Sequence, residues 1–139
     1  MSAKLMEYFN KQPRIGTLST ASKDGKVDVA VFGSPHMTDG KTVVMGLGKN
    51  RSLSYLQQNP YAVFMIMEPG KSLSDWKGVR VYLTVKNIAT SGKMLDDYKS
   101  QLLKIAGKAV ADMIHAVVSF KVEDIRPIVD MGQGWESSI

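Results

Sequence analysis

Two Asp-Gly steps, Asp24-Gly25 and Asp39-Gly40, separate apolar runs of period two, and they constrain the fold more than any other feature of the chain. An Asp-Gly pair supplies the backbone conformation of a tight hairpin turn, so the runs on either side are expected to lie antiparallel. Ile15-Gly16-Thr17-Leu18-Ser19-Thr20 reads as a strand, Ser22-Lys23-Asp24-Gly25-Lys26 as its turn, and Val27 through Ser34 as the return strand. Thr38-Asp39-Gly40-Lys41 then leads into Val43-Val44-Met45, giving a three-stranded antiparallel meander.

The remaining pattern adds strands and inserted helices. Leu5, Met6 and Phe9 lie at helical spacing over residues 3–11, ahead of Pro13. A second helix is expected from Asn50 to Gln58, closed by Asn59-Pro60 because proline cannot continue it. Tyr61 through Met67 is almost continuously apolar, the pattern of a strand buried on both faces. Glu68 through Ser72 is a loop, and Val79 through Val85 alternates as a long strand toward Ala89. A helix over Lys93–Lys108 would bury Leu95, Tyr98, Leu102, Leu103 and Ile105. Met113 through Val122 forms the last strand, with His115 among apolar neighbours, and the tail to Ile139 is irregular. Six strands joined mostly by hairpins predict a mainly β chain with short helices, a six-stranded antiparallel barrel. Gly46-Leu47-Gly48 lacks the third glycine and the βαβ periodicity of a dinucleotide fold, which excludes that reading.

At 139 residues the chain is expected to be a single domain, residues 1–139. Its net charge of +5 is spread singly among acids, so no basic stripe for nucleic acid is present. No apolar run approaches the ~20 residues that cross a bilayer. The start, Met1 through Phe9, is too polar for a signal peptide, and a cytoplasmic location is the expectation. Cysteine is absent and there are two histidines, leaving no metal site to expect.

One segment carries chemistry. The strand ending Val44-Met45-Gly46 runs through a glycine turn into Lys49-Asn50-Arg51-Ser52, the start of the second helix. Unpaired N–H groups and partial positive charge at a helix start, with lysine, arginine and a hydroxyl, suit a phosphate monoester. The same residues also make an ordinary strand-to-helix corner with solvated cations. Elsewhere the simpler readings hold: His36 is a loop histidine, His115 a packed or interface one, and the methionines adaptable core filler. Trp76 in its polar loop, and Trp135 near the tail, pack locally or against a neighbouring subunit. No acid, base or nucleophile stands out, so no catalytic residue is assigned.

The order of these features resembles the FMN-binding split barrel, the pyridoxamine 5'-phosphate oxidase-like superfamily, in its short single-domain form. The resemblance covers roughly residues 10–122, and Lys49-Asn50-Arg51-Ser52 through Asn59-Pro60 is its most specific part. It implies FMN as cofactor, with Lys49, Arg51 and Ser52 on the phosphate. The ring would lie along Ala30, Val31, Phe32, Gly33 and Ser34 and against Val44, Met45 and Gly46. Trp76, Lys77 and Gly78 match a region that in relatives reaches the flavin across a dimer interface. A homodimer with cofactor pockets at its interface is therefore implied, acting as a flavin-dependent oxidoreductase on a small molecule. A non-catalytic FMN-binding or electron-transfer protein, passing electrons to a redox partner, is the alternative, and a deazaflavin or haem barrel a third. The chain lacks the C-terminal extension with which true pyridoxamine phosphate oxidases grip their substrate, and vitamin B6 oxidation is not expected.

Overall fold

Every strand pairing in the computed structural model, which describes residues 3–139, is antiparallel. The chain runs α1 (Ala3–Asn10), β1 (Ile15–Ala21), β2 (Val27–Val31), β3 (His36–Met37), β4 (Thr42–Leu47), α2 (Arg51–Gln58), β5 (Tyr61–Glu68), β6 (Lys77–Ala89), α3 (Lys93–Ala106), α4 (Lys108–Met113) and β7 (Ala116–Pro127). Short 3-10 turns occupy Leu73–Asp75 and Trp135–Ser138. The strands form one sheet in the order β2-β1-β5-β6-β7-β4-β3. There are thus seven strands in an open sheet, where the sequence predicts six in a barrel. The extra strand is the two-residue β3, too short for periodicity to reveal.

The Asp24-Gly25 hairpin forms as expected, with Leu18 opposite Ala30 and Thr20 opposite Asp28. The meander does not. β4 pairs with β3 and β7 instead of β2, and Val44 lies opposite Ser119, seventy-five positions along the chain. β2 stops at Val31, not Ser34, because Phe32–Pro35 turns away to cross to β3. Sheet faces follow the alternation. Leu18, Phe64, Val81, Met45 and Phe120 point into one core that α1 closes with Leu5 and Phe9, and α2 with Leu53 and Leu56. β5 buries one face only; Val63 and Met65 on its other face are half-buried.

The two edges of the sheet, β2 and β3, are joined by no ladder among the described residues. Arg14 fastens the crossing instead. Its guanidinium lies over the rings of both Phe9 and Phe64, 5.2 and 5.1 Å from their centres. It donates to the carbonyls of Phe9, Gly33 (3.1 Å) and Pro35 (2.5 Å). Asn10 adds a reciprocal pair with the backbone of Met37, both bonds 2.8 Å.

The helical hairpin departs most from expectation. The helix breaks at Gly107, and of the expected stripe only Leu95 is buried, while Leu103 and Ile105 are 49% and 81% exposed. Met113 ends α4, so the last strand begins at Ala116 and runs on to Pro127, beyond the predicted Val122. His115 precedes that strand with an exposed side chain, not a packed one, and its N–H donates to the Leu47 carbonyl. The tail is ordered around Asp130, which accepts from Arg126 at 2.7 and 2.9 Å, from Arg80 at 2.7 Å and from the Gly132 N–H. No described helix is long and apolar enough to cross a membrane.

Two outcomes test this account of the fold. Arg14→Met removes three charge-assisted bonds and leaves their carbonyls unpaired, and should lower the unfolding free energy by roughly 3 kcal/mol in urea titration. A loss under about 1 kcal/mol would mean that the crossing is held otherwise. The Arg126 guanidinium, then the Gly132 N–H and Arg80, hold the Asp130 carboxyl well below the usual carboxylate range. A carboxyl depressed in the fold stabilises it above the unfolded value of about 3.9, and that contribution fades as pH falls further. Asp130→Asn should therefore lower Tm at neutral pH, and the gap between the two proteins should narrow steadily below about pH 4.

Candidate functional site

Asn50 sets the geometry of the cationic corner. It adopts an extended backbone, and its side-chain oxygen accepts the Leu53 N–H at 2.9 Å, which starts α2 at Arg51. Helix geometry leaves the N–H groups of Arg51 and Ser52 without an intrahelical acceptor. Ser52 is 2% exposed, and its hydroxyl has no hydrogen-bond partner among the described residues. The Lys49 side chain is exposed. The Arg51 guanidinium, 70% exposed, stands 3.9 Å from Asp28 on β2. A solvent-facing pair this long contributes little to stability, so Arg51 remains free to turn to an anion.

A groove of about 1140 Å3 lies on the outer sheet face, lined by Ser19, Ala21, Val27, Val29, Tyr61 and Tyr82 among others, and of the residues around the corner Asp28 reaches it. Val27, Val29 and Tyr61 are 82%, 62% and 66% exposed there, a concentration of apolar side chains on one surface. Thr20, which also lines the groove, is 3% exposed with an unpartnered buried hydroxyl. The Thr17 hydroxyl on β1 is likewise buried and unpartnered. Buried hydroxyls are rarely left unpaired without a reason.

The residues expected along a ring divide between the two faces of the sheet. Ala30 faces inward opposite Leu18, and Val31 is 76% exposed on the edge strand. Phe32 packs against the core and its N–H donates to the Gly16 carbonyl, while Gly33 is exposed. Val44 is half-buried on the outer face, whereas the Met45 side chain is wholly inside the core and only its backbone is available. Ser34 and Gly46 meet across the open seam: the Ser34 hydroxyl donates to the Gly46 carbonyl at 2.9 Å. The Gly46 N–H donates to the phenol oxygen of Tyr98, at 3.0 Å. A Cβ on Gly46 would stand 2.5 Å from the Tyr98 ring, so this glycine is needed for the close approach of α3. The sequence marks Tyr98 only as part of a buried stripe; nothing local signals its bond to β4.

Trp76, Lys77 and Gly78 lie away from the corner. Lys77 pairs with Glu68 and Gly78 with Met67 at one end of β5, while Tyr61 at its other end follows directly on α2 and Pro60. Eight residues of strand separate the two ends, roughly 23 Å. Within one chain, therefore, the Trp76 group and Lys49 do not meet. Gly78 has a local reason as well: its φ is +142, and a Cβ would stand 2.0 Å from the Ile66 carbonyl oxygen. Trp76 is half-buried and Trp135 packs against the core.

The donor set fits FMN. Two exposed cations, free N–H groups at a helix start and the unpartnered Ser52 hydroxyl match a phosphate dianion. Among the described residues no cluster of acids and histidines could hold a metal.

No curated protein matches the chain. Among solved structures, an FMN-binding protein from Syntrophomonas wolfei subsp. wolfei is 22% identical, with 91% of this chain and 84% of that one covered at a TM-score of 0.71. The heme storage protein HutZ from Vibrio cholerae is 13% identical, covering 94% of this chain and 98% of that one, TM-score 0.65. An FAD-binding protein from Mesorhizobium loti is 17% identical, covering 90% and 92%, TM-score 0.61. At these identities the likeness establishes the fold. The sequence model of the pyridoxamine 5'-phosphate oxidase family matches residues 2–128, nearly the whole chain, and this protein belongs to that family.

Proposed function

We propose that this chain is a cytoplasmic FMN-binding homodimer that acts as a flavin-dependent oxidoreductase on a small molecule. The reading is carried by the corner at the start of α2, where Lys49, Arg51 and Ser52 follow one another in the chain beside two backbone N–H groups that lack an intrahelical acceptor. Arg51 supplies a planar fork and Lys49 a point charge, which together neutralise a dianion. Ser34 and the Gly46 backbone frame the far end of the site, at the seam that Arg14 holds in place. Bound FMN would supply the hydride or electron transfer, and the protein the position and electrostatics.

The exposed apolar groove on the outer face supports a two-fold dimer, since a second copy would cover Val27, Val29 and Tyr61. The partner's Trp76 region could then approach a corner that its own chain's Trp76 cannot reach. A flavin carrier with the same fold, serving a redox partner, is favoured by one observation: no described carboxylate or histidine near the corner is placed as an acid or base. Mixing the loaded protein with NADH or NADPH separates these readings. Rapid bleaching of the flavin supports the enzyme, and inertness supports the carrier.

The FMN-binding kin and the heme storage protein among the structural neighbours make the absorption spectrum of the isolated protein informative. Flavin bands, with FMN released on denaturation, are expected in place of a haem band. Arg51→Ala should weaken FMN binding by about 1.5–3 kcal/mol, roughly 10- to 150-fold in Kd, read by fluorescence quenching. An unchanged Kd would contradict the phosphate assignment.

A further inference from the structure

A second cleft, of about 620 Å3, lies between α3 and the outer face of β4 and β7. Its size falls within the range of small-molecule sites. Val44, Met94, Leu102 and Val117 make apolar walls, and two hydroxyls, of Tyr98 and Ser119, are the polar groups deep in it. The charges at its rim cancel each other: Lys93 and Asp97 are joined at 2.5 Å. A charged ligand would have to break that pair, whereas a neutral one would not.

Tyr98 connects this cleft to the flavin site. Its phenol oxygen accepts the Gly46 N–H, and Gly46 in turn accepts from Ser34, so the cleft and the expected ring position share one wall. Besides the Gly46 N–H, the Tyr98 hydroxyl meets the Ser34 side chain, so a ligand acceptor in the cleft would compete with Ser34 for its O–H. Burial raises its pKa above the ordinary tyrosine value. The packing of α3 also favours entry: Met94, Leu103 and Ile105 are 45%, 49% and 81% exposed, so the helix covers the sheet without sealing it.

We propose that this cleft is the substrate site of the flavoprotein, taking a flat, uncharged, largely apolar molecule whose acceptor oxygen accepts a hydrogen bond from the Tyr98 O–H. The assignment rests on the FMN reading above and adds the substrate class to it. Tyr98 is then a specificity-determining residue, and Leu102 forms the wall on which the flat face lies.

The neutral naphthyl ketone prodan serves as probe, because its emission shifts to the blue in apolar sites and overlaps flavin absorption. Added to the FMN-loaded protein, it should bind, and its emission should be quenched relative to the same protein without FMN. Leu102→Trp should fill the cleft and weaken the probe about tenfold, the effect of losing one well-matched contact, with FMN affinity unchanged. Tyr98→Phe keeps the ring and should weaken the ketone about 2- to 10-fold. Circular dichroism reports whether Leu102→Trp folds; if it does not, Tyr98→Phe decides. Probe binding that is absent, or indifferent to the folded variants, overturns the cleft assignment while FMN uptake in the same samples leaves the flavin reading standing. Bound probe that FMN fails to quench also overturns it, since the cleft would not adjoin the ring. No FMN uptake by the unmodified protein overturns the flavin reading, and the substrate assignment with it.

Discussion

Arg14 holds the seam on which the site depends. An open sheet that curls around a core must bring its two edge strands together without a ladder to align them. Here a guanidinium set over Phe9 and Phe64 reaches the carbonyls of Gly33 and Pro35 and so fixes where the chain crosses from β2 to β3. Charge-assisted bonds of this kind contribute about 1.5–3 kcal/mol each, offset by the cost of removing the charge from water. That cost is visible in the direction of the Arg14 pKa, which burial lowers. Arginine stays charged regardless, which lysine at such a position need not. Because the crossing is fixed, Ser34 can reach Gly46, and the open seam acquires a defined shape.

What local chemistry specifies was legible in the sequence. The Asp24-Gly25 hairpin, the start of α2 at Asn50 and its end before Pro60 all follow from residues within a few positions of each other. The cationic corner could be located for the same reason. What remote contacts decide was not legible. β4 chooses β7 as its neighbour across the whole length of α2, β5, β6 and α3, and no spacing records that choice. The apolar stripe of α3 misled because Leu103 and Ile105, though apolar, stay largely exposed. Met113 and Ile114 read as strand by composition, but the chain is still leaving α4 there. Arg14 gave no signal, since its partners are carbonyls that any residue could present.

The site residues divide along the same line. Lys49, Arg51 and Ser52 stand together because they are neighbours in sequence. Trp76, Lys77 and Gly78 are separated from them by the length of β5, and Gly78 is explained by its own backbone. Tyr98, far along the chain, stands against Gly46 and forms a boundary between the seam and the α3 cleft. The picture is of a cationic corner, a seam and a cleft set on one sheet, with the family fold providing the frame.

The central claim is that the corner at the start of α2 binds a phosphate, and comparing FMN with riboflavin tests it most directly. The two molecules differ only in that group. Titration calorimetry should show FMN binding about 100-fold or more tightly, since at least two charge-assisted bonds are lost with the phosphate. Equal affinities would mean that the corner contributes nothing to flavin binding, and the account would be wrong.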